Sequence, residues 1–193
     1  MMASEILYVK NMVCNRCIQV VKEELSQLGI AAQDVQLGEV RLTEPVSVDK
    51  LTEVSEVFAK RGFEILEDSN SKLIEQIKTT IIDLVHNPEV VINQNVSNYL
   101  EGLIGKDYSY LSNLFSSVEN VTIERYLILQ KVEKVKELLV YDELTLSEIS
   151  YKMDYSSVQY LSGQFRKVTG MSPSEFKKLT NKERLPLDMV ATK

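Results

Sequence analysis

The feature that most restricts the fold of this chain is a pattern that occurs twice, 50 residues apart. The first copy is YSYLSNLFSSVENVTIERYL (108–127), and the second is VQYLSGQFRKVTGMSPSEFK (158–177). A repeat of this length indicates one supersecondary unit that is used twice. The equivalent pairs are Tyr110/Tyr160, Leu111/Leu161, Ser112/Ser162, Phe115/Phe165, Val118/Val168 and Tyr126/Phe176.

The C-terminal half is predicted to be helical throughout. A long amphipathic helix, KLIEQIKTTIIDLVHN, ends before Pro88. Short helices separated by short links are typical of helix-turn-helix units rather than of a long bundle. The charges of KVEKVKE (131–137) predict a solvated helix face with i,i+3 and i,i+4 pairs. The short helices are predicted at 94–104, 108–118, 122–141, 145–153, 156–168 and 173–180.

The N-terminal part has a different pattern. EILYVKNM is typical of a strand, and NRCIQVVKEELSQLG is typical of a helix that ends at Gly29. AQDVQL and EVRLTE predict a hairpin about Gly38, SVDKLTEVSEVFAKRG a second helix, and FEILE a last strand. The order βαββαβ predicts a ferredoxin-like module and an α+β chain. The polar stretch EDSNSK (67–72) is the predicted boundary between domains 1–68 and 69–193.

Composition and charge restrict the function. The chain has 193 residues and no apolar run near the roughly 18 residues of a membrane span. Its N-terminus lacks an export signal, so we expect a cytoplasmic protein that does not bind membranes. The net charge of −6 argues against a nucleic-acid partner. However, residues 145–182 hold 6 basic and 3 acidic side chains, so the positive charge lies near the C-terminus.

The segment LTLSEISYKMDYSSVQYLSGQFRKVTGMSPSEFKKL (144–179) resembles the second helix-turn-helix of the AraC/XylS family of bacterial transcription regulators. The resemblance extends over roughly 72–180 and implies seven helices, two helix-turn-helix subdomains, a long connecting helix and double-stranded DNA as partner. A helix from Thr122 to Tyr141 would be about 30 Å long. Successive major-groove faces lie about 34 Å apart, so this helix could place both subdomains on one side of a duplex. Its apolar positions, predicted to be buried, are Ile123, Tyr126, Leu127, Val132, Val135, Leu138 and Leu139.

The resemblance assigns DNA contacts in the second subdomain. Ser156 and Ser157 can cap the recognition helix, while Leu161 and Phe165 are expected to point inward. Glutamine can pair with adenine, valine can contact the thymine methyl, and arginine or lysine can neutralise phosphate. The residues predicted to contact bases are Val158, Gln159, Ser162 and Gly163, and those predicted to contact phosphates are Arg166 and Lys167.

The first subdomain departs from the family pattern. Its recognition helix, DYSYLSNLFSSVEN, contains no Lys or Arg and begins with Asp107 as cap. The resemblance places Ser109, Ser112 and Asn113 towards the groove. A weak DNA half-site and a purely structural role both stay open for this subdomain. Residues that differ from the usual ones are Glu101, where a small residue is common, Asn120, where Gly is common, and Asp154-Tyr155, where Gly-Phe is common.

Cys14 and Cys17 are spaced so that both sulfurs can converge near the N-terminus of the first helix, which favours thiolate. Two thiolates satisfy a linear soft ion such as Cu(I), but they do not complete a zinc tetrahedron. A redox pair and two inert packed cysteines are the open alternatives. His86, the single histidine, is expected to be a polar residue at a helix end.

The βαββαβ order with MVCNRC in its first loop resembles the heavy-metal-associated domain of copper chaperones and transport ATPases, over residues 5–67. The resemblance implies Cys14 and Cys17 as ligands of Cu(I) or another soft metal ion, with Met12 nearby. Met12 is more often a core residue than a ligand. The resemblance also places Phe63 beside the loop and Asn11 where that family usually has Gly.

Two hypotheses follow. In the first, the chain is a DNA-binding regulator whose small domain, residues 5–67, acts as a sensor, with copper as the candidate signal, or as the dimerisation module of a homodimer. In the second, it handles a soft metal or docks a protein, and its helical half no longer engages DNA. A catalytic constellation cannot be assembled from the sequence, so we do not expect an enzyme.

Overall fold

The computed structural model describes residues 6–90 and 92–191. Two compact units are formed, one by Met1–Asp83 with Ile92–Leu114 and the other by Leu84–Val91 with Phe115–Lys193. The predicted boundary of the folding domains at residue 68 remains a prediction. The elements are β1 (Ile6–Lys10), α1 (Asn15–Gln27), β2 (Ala32–Gln36), β3 (Glu39–Leu42), α2 (Val48–Lys60), β4 (Glu64–Leu66), α3 (Ser69–His86), α4 (Val96–Ile104), α5 (Tyr108–Glu119), α6 (Ile123–Tyr141), α7 (Leu146–Lys152), α8 (Val158–Thr169) and α9 (Pro173–Lys178).

The first unit contains the predicted βαββαβ module. Its four strands are in the order β2-β3-β1-β4, and all neighbouring strands are antiparallel. Side chains alternate across a strand, so Leu7 and Val9 of β1 share one face. That face packs into a core with Val21 of α1 and with Val54 and Phe58 of α2. The predicted α+β class and element order are therefore confirmed.

Helix α3 contacts the sheet and the turn between β2 and β3. The Nζ atom of Lys72 lies 5.4 Å from the centre of the Tyr8 ring. At the turn, a Cβ added to Gly38, which has φ +76°, would lie 3.0 Å from Cγ2 of Thr79. Helix α3 begins at Ser69 rather than at the predicted Lys72, because the Asp68 carboxylate accepts hydrogen bonds from the N–H groups of Asn70 and Ser71.

The later helices end within a few residues of their predicted limits, because local capping sets their ends. At the starts of α4, α6, α7, α8 and α9, the N-cap side chain accepts a hydrogen bond from the backbone N–H of residue N3. Residues with left-handed φ follow the ends of several helices, where they close the last turn. The N-caps are Asn95, Thr122, Thr145, Ser157 and Ser172, and the left-handed residues are Gly105, Asn120, Asp142, Asp154 and Gly170.

The core of the second unit is built around α6. Of its predicted apolar positions Leu127 is only half-buried, whereas the other six are buried. Val132, Val135, Leu138 and Leu139 form one cluster with residues of α7, α8 and α9, including Ile149, Leu161, Phe165 and Phe176. Among the described residues, no helix is both long enough and apolar enough to cross a membrane.

The charge run at 131–137 is not a solvated face, so that prediction is wrong. Glu133 is only 3% exposed. Its Oε2 accepts a hydrogen bond from the Leu185 N–H at 3.0 Å, and Glu137 forms an ion pair with Arg184 at 2.6 Å. The predicted i,i+3 pairs are present, as Lys136–Glu133 and Lys134–Glu137. The segment after α9 returns along α6 and covers these charges.

Candidate nucleic-acid interface

Helix α8 begins as its sequence predicts. Ser157 is the N-cap, and its Oγ accepts a hydrogen bond from the Tyr160 N–H at 3.1 Å. Ser156, the other predicted cap, is exposed and lies one residue before the N-cap. Leu161 and Phe165 are buried, as predicted. A neutral side chain therefore caps this helix.

The residues predicted to contact DNA lie on one side of α8. At 100° per residue, Gln159, Ser162, Gly163 and Arg166 fall on a face away from the buried Leu161 and Phe165, whereas Val158 lies at the edge of that face, next to Phe165. Lys167 lies at the edge of this face. Gln159, Gly163, Arg166 and Lys167 are exposed, whereas Val158 and Ser162 are half-buried.

The backbone around Gly163 is open. A Cβ added at this position would meet nothing within 4 Å, so the helix surface there is accessible. Gly102 in α4 has the same open surroundings. Glycine in the middle of an exposed helix costs stability relative to alanine, so both positions lower helix stability.

The turn before α8 is held from α6 by a residue that the sequence prediction missed. Lys131 donates from Nζ to the Met153 carbonyl at 3.0 Å, and its ammonium lies 5.3 Å from the centre of the Tyr155 ring. Burial lowers the pKa of Lys131 below its usual value. Tyr155 in turn donates to Gln164 Oε1 at 2.7 Å. The sequence could not indicate this role of Lys131, because the role depends on which turn packs against α6 in the folded chain.

The N-terminus of α5 differs from that of α8 in charge. Asp107 Oδ1 accepts from the Ser109 N–H at 2.9 Å, which confirms Asp107 as cap. Glu101 Oε1 accepts from the Tyr108 N–H at 2.6 Å. Two acidic side chains therefore occupy the end of the helix where a phosphate would otherwise bind. Ser109 and Asn113 are exposed, and Ser112 is half-buried.

The non-glycine residues at family glycine positions adopt the required backbone. Asn120 has φ 57° and Asp154 has φ 54°. Asn and Asp tolerate this left-handed conformation better than other non-glycine residues. The turn after α5 and the turn between α7 and α8 therefore keep the geometry that glycine would give.

The two cysteines lie together at the start of α1. Their Sγ atoms are 3.6 Å apart, Cys14 is exposed and Cys17 is half-buried. Burial raises the pKa of the Cys17 thiol, which opposes the stabilisation of thiolate expected at a helix N-terminus. Met12 is fully buried and is a core residue. Across residues 6–90 and 92–191, no group of three or more His, Cys, Asp or Glu is arranged to hold a metal ion.

This donor set fits a two-coordinate soft ion better than a zinc ion. Both sulfurs can approach one ion, and thiolates are the ligands that Cu(I) prefers. Zinc would need two further ligands. Asn11 has φ 70°, a left-handed conformation that favours glycine, the residue that the heavy-metal-associated resemblance places at this position. Phe63 is buried and packs edge-to-face on Phe58, with ring centroids 6.1 Å apart.

A comparison with protein-family models assigns the helical half. A model described as a helix-turn-helix domain matches residues 103–179. The matched range contains both copies of the 50-residue repeat and all of the residues predicted to contact DNA. It is called here the AraC-type domain, after the family that its sequence resembles. Residues 6–67 lie outside the matched range, so the metal-domain resemblance stays a hypothesis.

Similar proteins include regulators of sugar operons. The Msm operon regulatory protein of Streptococcus mutans is 27% identical over 148 residues, which cover 75% of this chain and 52% of the relative. The xylose operon regulatory protein of Escherichia coli is 29% identical over 82 residues, which cover 42% of this chain and 21% of the relative. The chain thus spans about half the length of the first relative and about a fifth of the second.

A solved structure is also similar to part of this chain. It is the C-terminal domain of AraT, a response regulator from Geobacillus stearothermophilus. The similarity has a TM-score of 0.49 and 19% sequence identity, and it covers 61% of this chain and 91% of the other.

Proposed function

We propose that this chain is a sequence-specific transcription regulator that binds double-stranded DNA mainly through α8. The observation that carries the proposal is the exposed face of α8, where Gln159 and Gly163 lie beside Arg166 and Lys167. The Gln159 side chain can recognise a base edge, Gly163 lets the helix backbone approach the DNA closely, and Arg166 and Lys167 can neutralise phosphates. The proposed role is regulatory rather than enzymatic.

The charges of the two recognition helices support a dominant α8. Its N-terminus carries the neutral cap Ser157, which leaves the positive end of the helix dipole available to phosphate. The carboxylates of Asp107 and Glu101 occupy the same end of α5. We infer that the second helix-turn-helix supplies most of the affinity, and that α5 adds a weak half-site through Ser109, Ser112 and Asn113.

The names of the relatives agree with this role, since two of them are operon regulatory proteins. A protein that binds chromosomal DNA must be in the compartment that holds the chromosome, so we propose a cytoplasmic location. The homodimer predicted from the small domain is part of the same proposal, and sedimentation of the full chain tests it.

The test of DNA binding is a selection from random duplexes, followed by affinity measurements on the selected sequence. Gln159→Ala should change the preferred sequence, whereas Arg166→Ala should weaken all sequences alike. Lys167→Ala should also reduce the salt dependence of binding by about one phosphate contact. Lys22→Ala, which removes the same charge from exposed α1, is the control and should change neither. Binding that is insensitive to all three α8 substitutions would refute the interface.

The finer proposal is that Cys14 and Cys17 hold Cu(I) or another soft ion and make the regulator metal-responsive. It is supported by the 3.6 Å separation of the sulfurs and by the position of the pair at a helix N-terminus. Titration of the full chain against a Cu(I) chelator tests this, with Cys14→Ser/Cys17→Ser as the variant that should not compete.

A second candidate function is a metal-handling or protein-docking protein whose helical half no longer engages DNA. The acidic residues at the start of α5 and the net charge of −6 favour it. One measurement, the affinity for duplex DNA in the absence of metal, distinguishes the two candidate functions. The double cysteine variant should retain its DNA affinity in the absence of metal if the first is correct, whereas no form of the chain should bind duplexes if the second is correct.

A further inference from the structure

The loop that carries the cysteines is held by helix α3. The N–H of Asn11 donates to Glu75 Oε1 at 3.1 Å, and Asn11 Nδ2 donates to the Gly62 carbonyl at 3.0 Å. The next residue, Met12, is fully buried. These contacts fix the backbone immediately before Cys14.

The contact with Glu75 restrains a strained residue. Asn11 has φ 70°, a conformation that costs free energy in a residue with a side chain. Such a residue is maintained by the contacts around it. Glu75 is only 4% exposed, and a carboxylate so buried needs hydrogen-bond donors. The Asn11 N–H is one of them, so loop and helix stabilise each other.

Helix α3 also contacts α6 at its other end. The Nε2 atom of His86 lies 3.1 Å from Oε1 of the buried Gln130, which can only accept, so His86 donates. Gln130 Nε2 donates to the Tyr126 hydroxyl at 3.0 Å, and the Tyr126 ring lies 5.5 Å from that of Phe115 in α5. The part of α3 between Glu75 and His86 is about 16 Å of continuous helix.

We propose that Glu75 is a positioning residue that ties the Cys14–Cys17 loop to α3, so that ligation of the thiols is transmitted along α3 to the AraC-type domain. The transmitted signal reaches Tyr126 and Phe115 through His86 and Gln130. The DNA part of this inference rests on the proposed function. The ligation of the thiols rests on it too, whereas the contact between Glu75 and the loop does not.

The first experiment compares two substitutions in the metal-free full chain. Glu75→Gln keeps an acceptor oxygen for the Asn11 N–H, whereas Glu75→Leu removes it at similar size. Iodoacetamide should alkylate Cys14 and Cys17 faster in Glu75→Leu than in the natural chain, and at nearly the natural rate in Glu75→Gln. Glu24→Leu is the control, because it removes a buried carboxylate of the same unit that pairs with Arg61.

The second experiment uses Cu(I) delivered from a chelator. Glu75→Leu should bind Cu(I) about tenfold more weakly or worse, as is common when a residue that positions ligands is removed. The effect of Cu(I) on DNA affinity should be lost in Glu75→Leu and kept in Glu75→Gln. In the natural chain, Cu(I) should change hydrogen exchange of the α3 amides, a measurement that does not depend on any variant folding.

Equal alkylation rates in the natural chain, Glu75→Gln and a folded Glu75→Leu would overturn the inference. So would α3 amides whose exchange is unchanged when Cu(I) is bound. Failure of every form to bind duplex DNA would refute the proposed function instead, and the alkylation and exchange results would still decide the role of Glu75.

Discussion

The rings of Phe165 and Phe176 meet edge to face, with their centroids 5.6 Å apart and their planes at 71°. Fifty residues earlier, Phe115 and Tyr126 form the equivalent pair at 5.5 Å. In each copy of the repeat, the aromatic residue in the middle of the recognition helix is therefore packed against the first turn of the following helix. This contact explains why the repeat continues past the recognition helix.

Removal of one ring from this pair should destabilise the second unit. Phe165→Ala should lower the free energy of unfolding by about 3–5 kcal/mol, because the side chain is 1% exposed. A double-mutant cycle with Phe165→Leu and Phe176→Leu should give a coupling energy of about 0.5–1.5 kcal/mol. Urea denaturation followed by circular dichroism measures both, and additive effects would show that the rings do not interact.

Neutralising Glu101 should strengthen DNA binding. Glu101→Gln keeps an acceptor for the Tyr108 N–H but removes a negative charge from the start of α5. We expect a gain of about 0.3–1 kcal/mol at low salt, since charges at a helix terminus contribute this much. Fluorescence anisotropy with the selected duplex measures it. Glu56→Gln on the exposed face of α2 is the control, and an equal gain there would indicate an effect of net charge alone.

The single histidine should titrate far below its usual range. Burial lowers the pKa of His86 from 6.5 to about 4. Because the folded chain then binds fewer protons than the unfolded chain, His86 contributes stability that is present above pH 6.5 and lost as the pH falls towards 4. The imidazole signal in an NMR titration should therefore have its midpoint near pH 4. A midpoint near 6.5 would contradict the burial of His86.

Alanine at the two exposed helix glycines should separate stability from DNA binding. Gly163→Ala and Gly102→Ala should each raise the free energy of unfolding by about 0.5–1 kcal/mol, because the added methyl groups meet no atoms. Only Gly163 lies on the face assigned to DNA, so only its substitution should alter affinity. Thermal melts and anisotropy titrations test the pair together.

Local patterns were sufficient to predict most of the fold. Caps such as Thr145 with Glu148 and Ser172 with Glu175 mark helix starts within a few residues of sequence, so the helix limits could be found without a structure. The composition of EILYVKNM likewise predicted a strand, and β1 is Ile6–Lys10. The resemblance to a family supplied the assignment of helices to subdomains.

Contacts between distant segments could not be predicted in this way. The run at 131–137 has the pattern of a solvated face, but Glu133 is buried because Leu185, 52 residues later, donates to it. The role of Lys131 also depends on a contact between distant segments. So does the hydrogen bond between Glu75 and Asn11, which are 64 residues apart. At the first candidate recognition helix, the sequence did not indicate the acidic environment that Glu101 creates at the start of α5.

Among the described residues, four that are not glycine have a left-handed φ: Asn11, Asn120, Asp142 and Asp154. Glycine at Asn120, Asp142 or Asp154 would relieve about 1 kcal/mol of backbone strain each, although it would also make the unfolded chain more flexible. Asn11 is a different case, because its amide side chain bonds Gly62. An engineer seeking a heat-resistant version could therefore begin with the three helix ends, and should leave position 11 alone to keep the thiols in place.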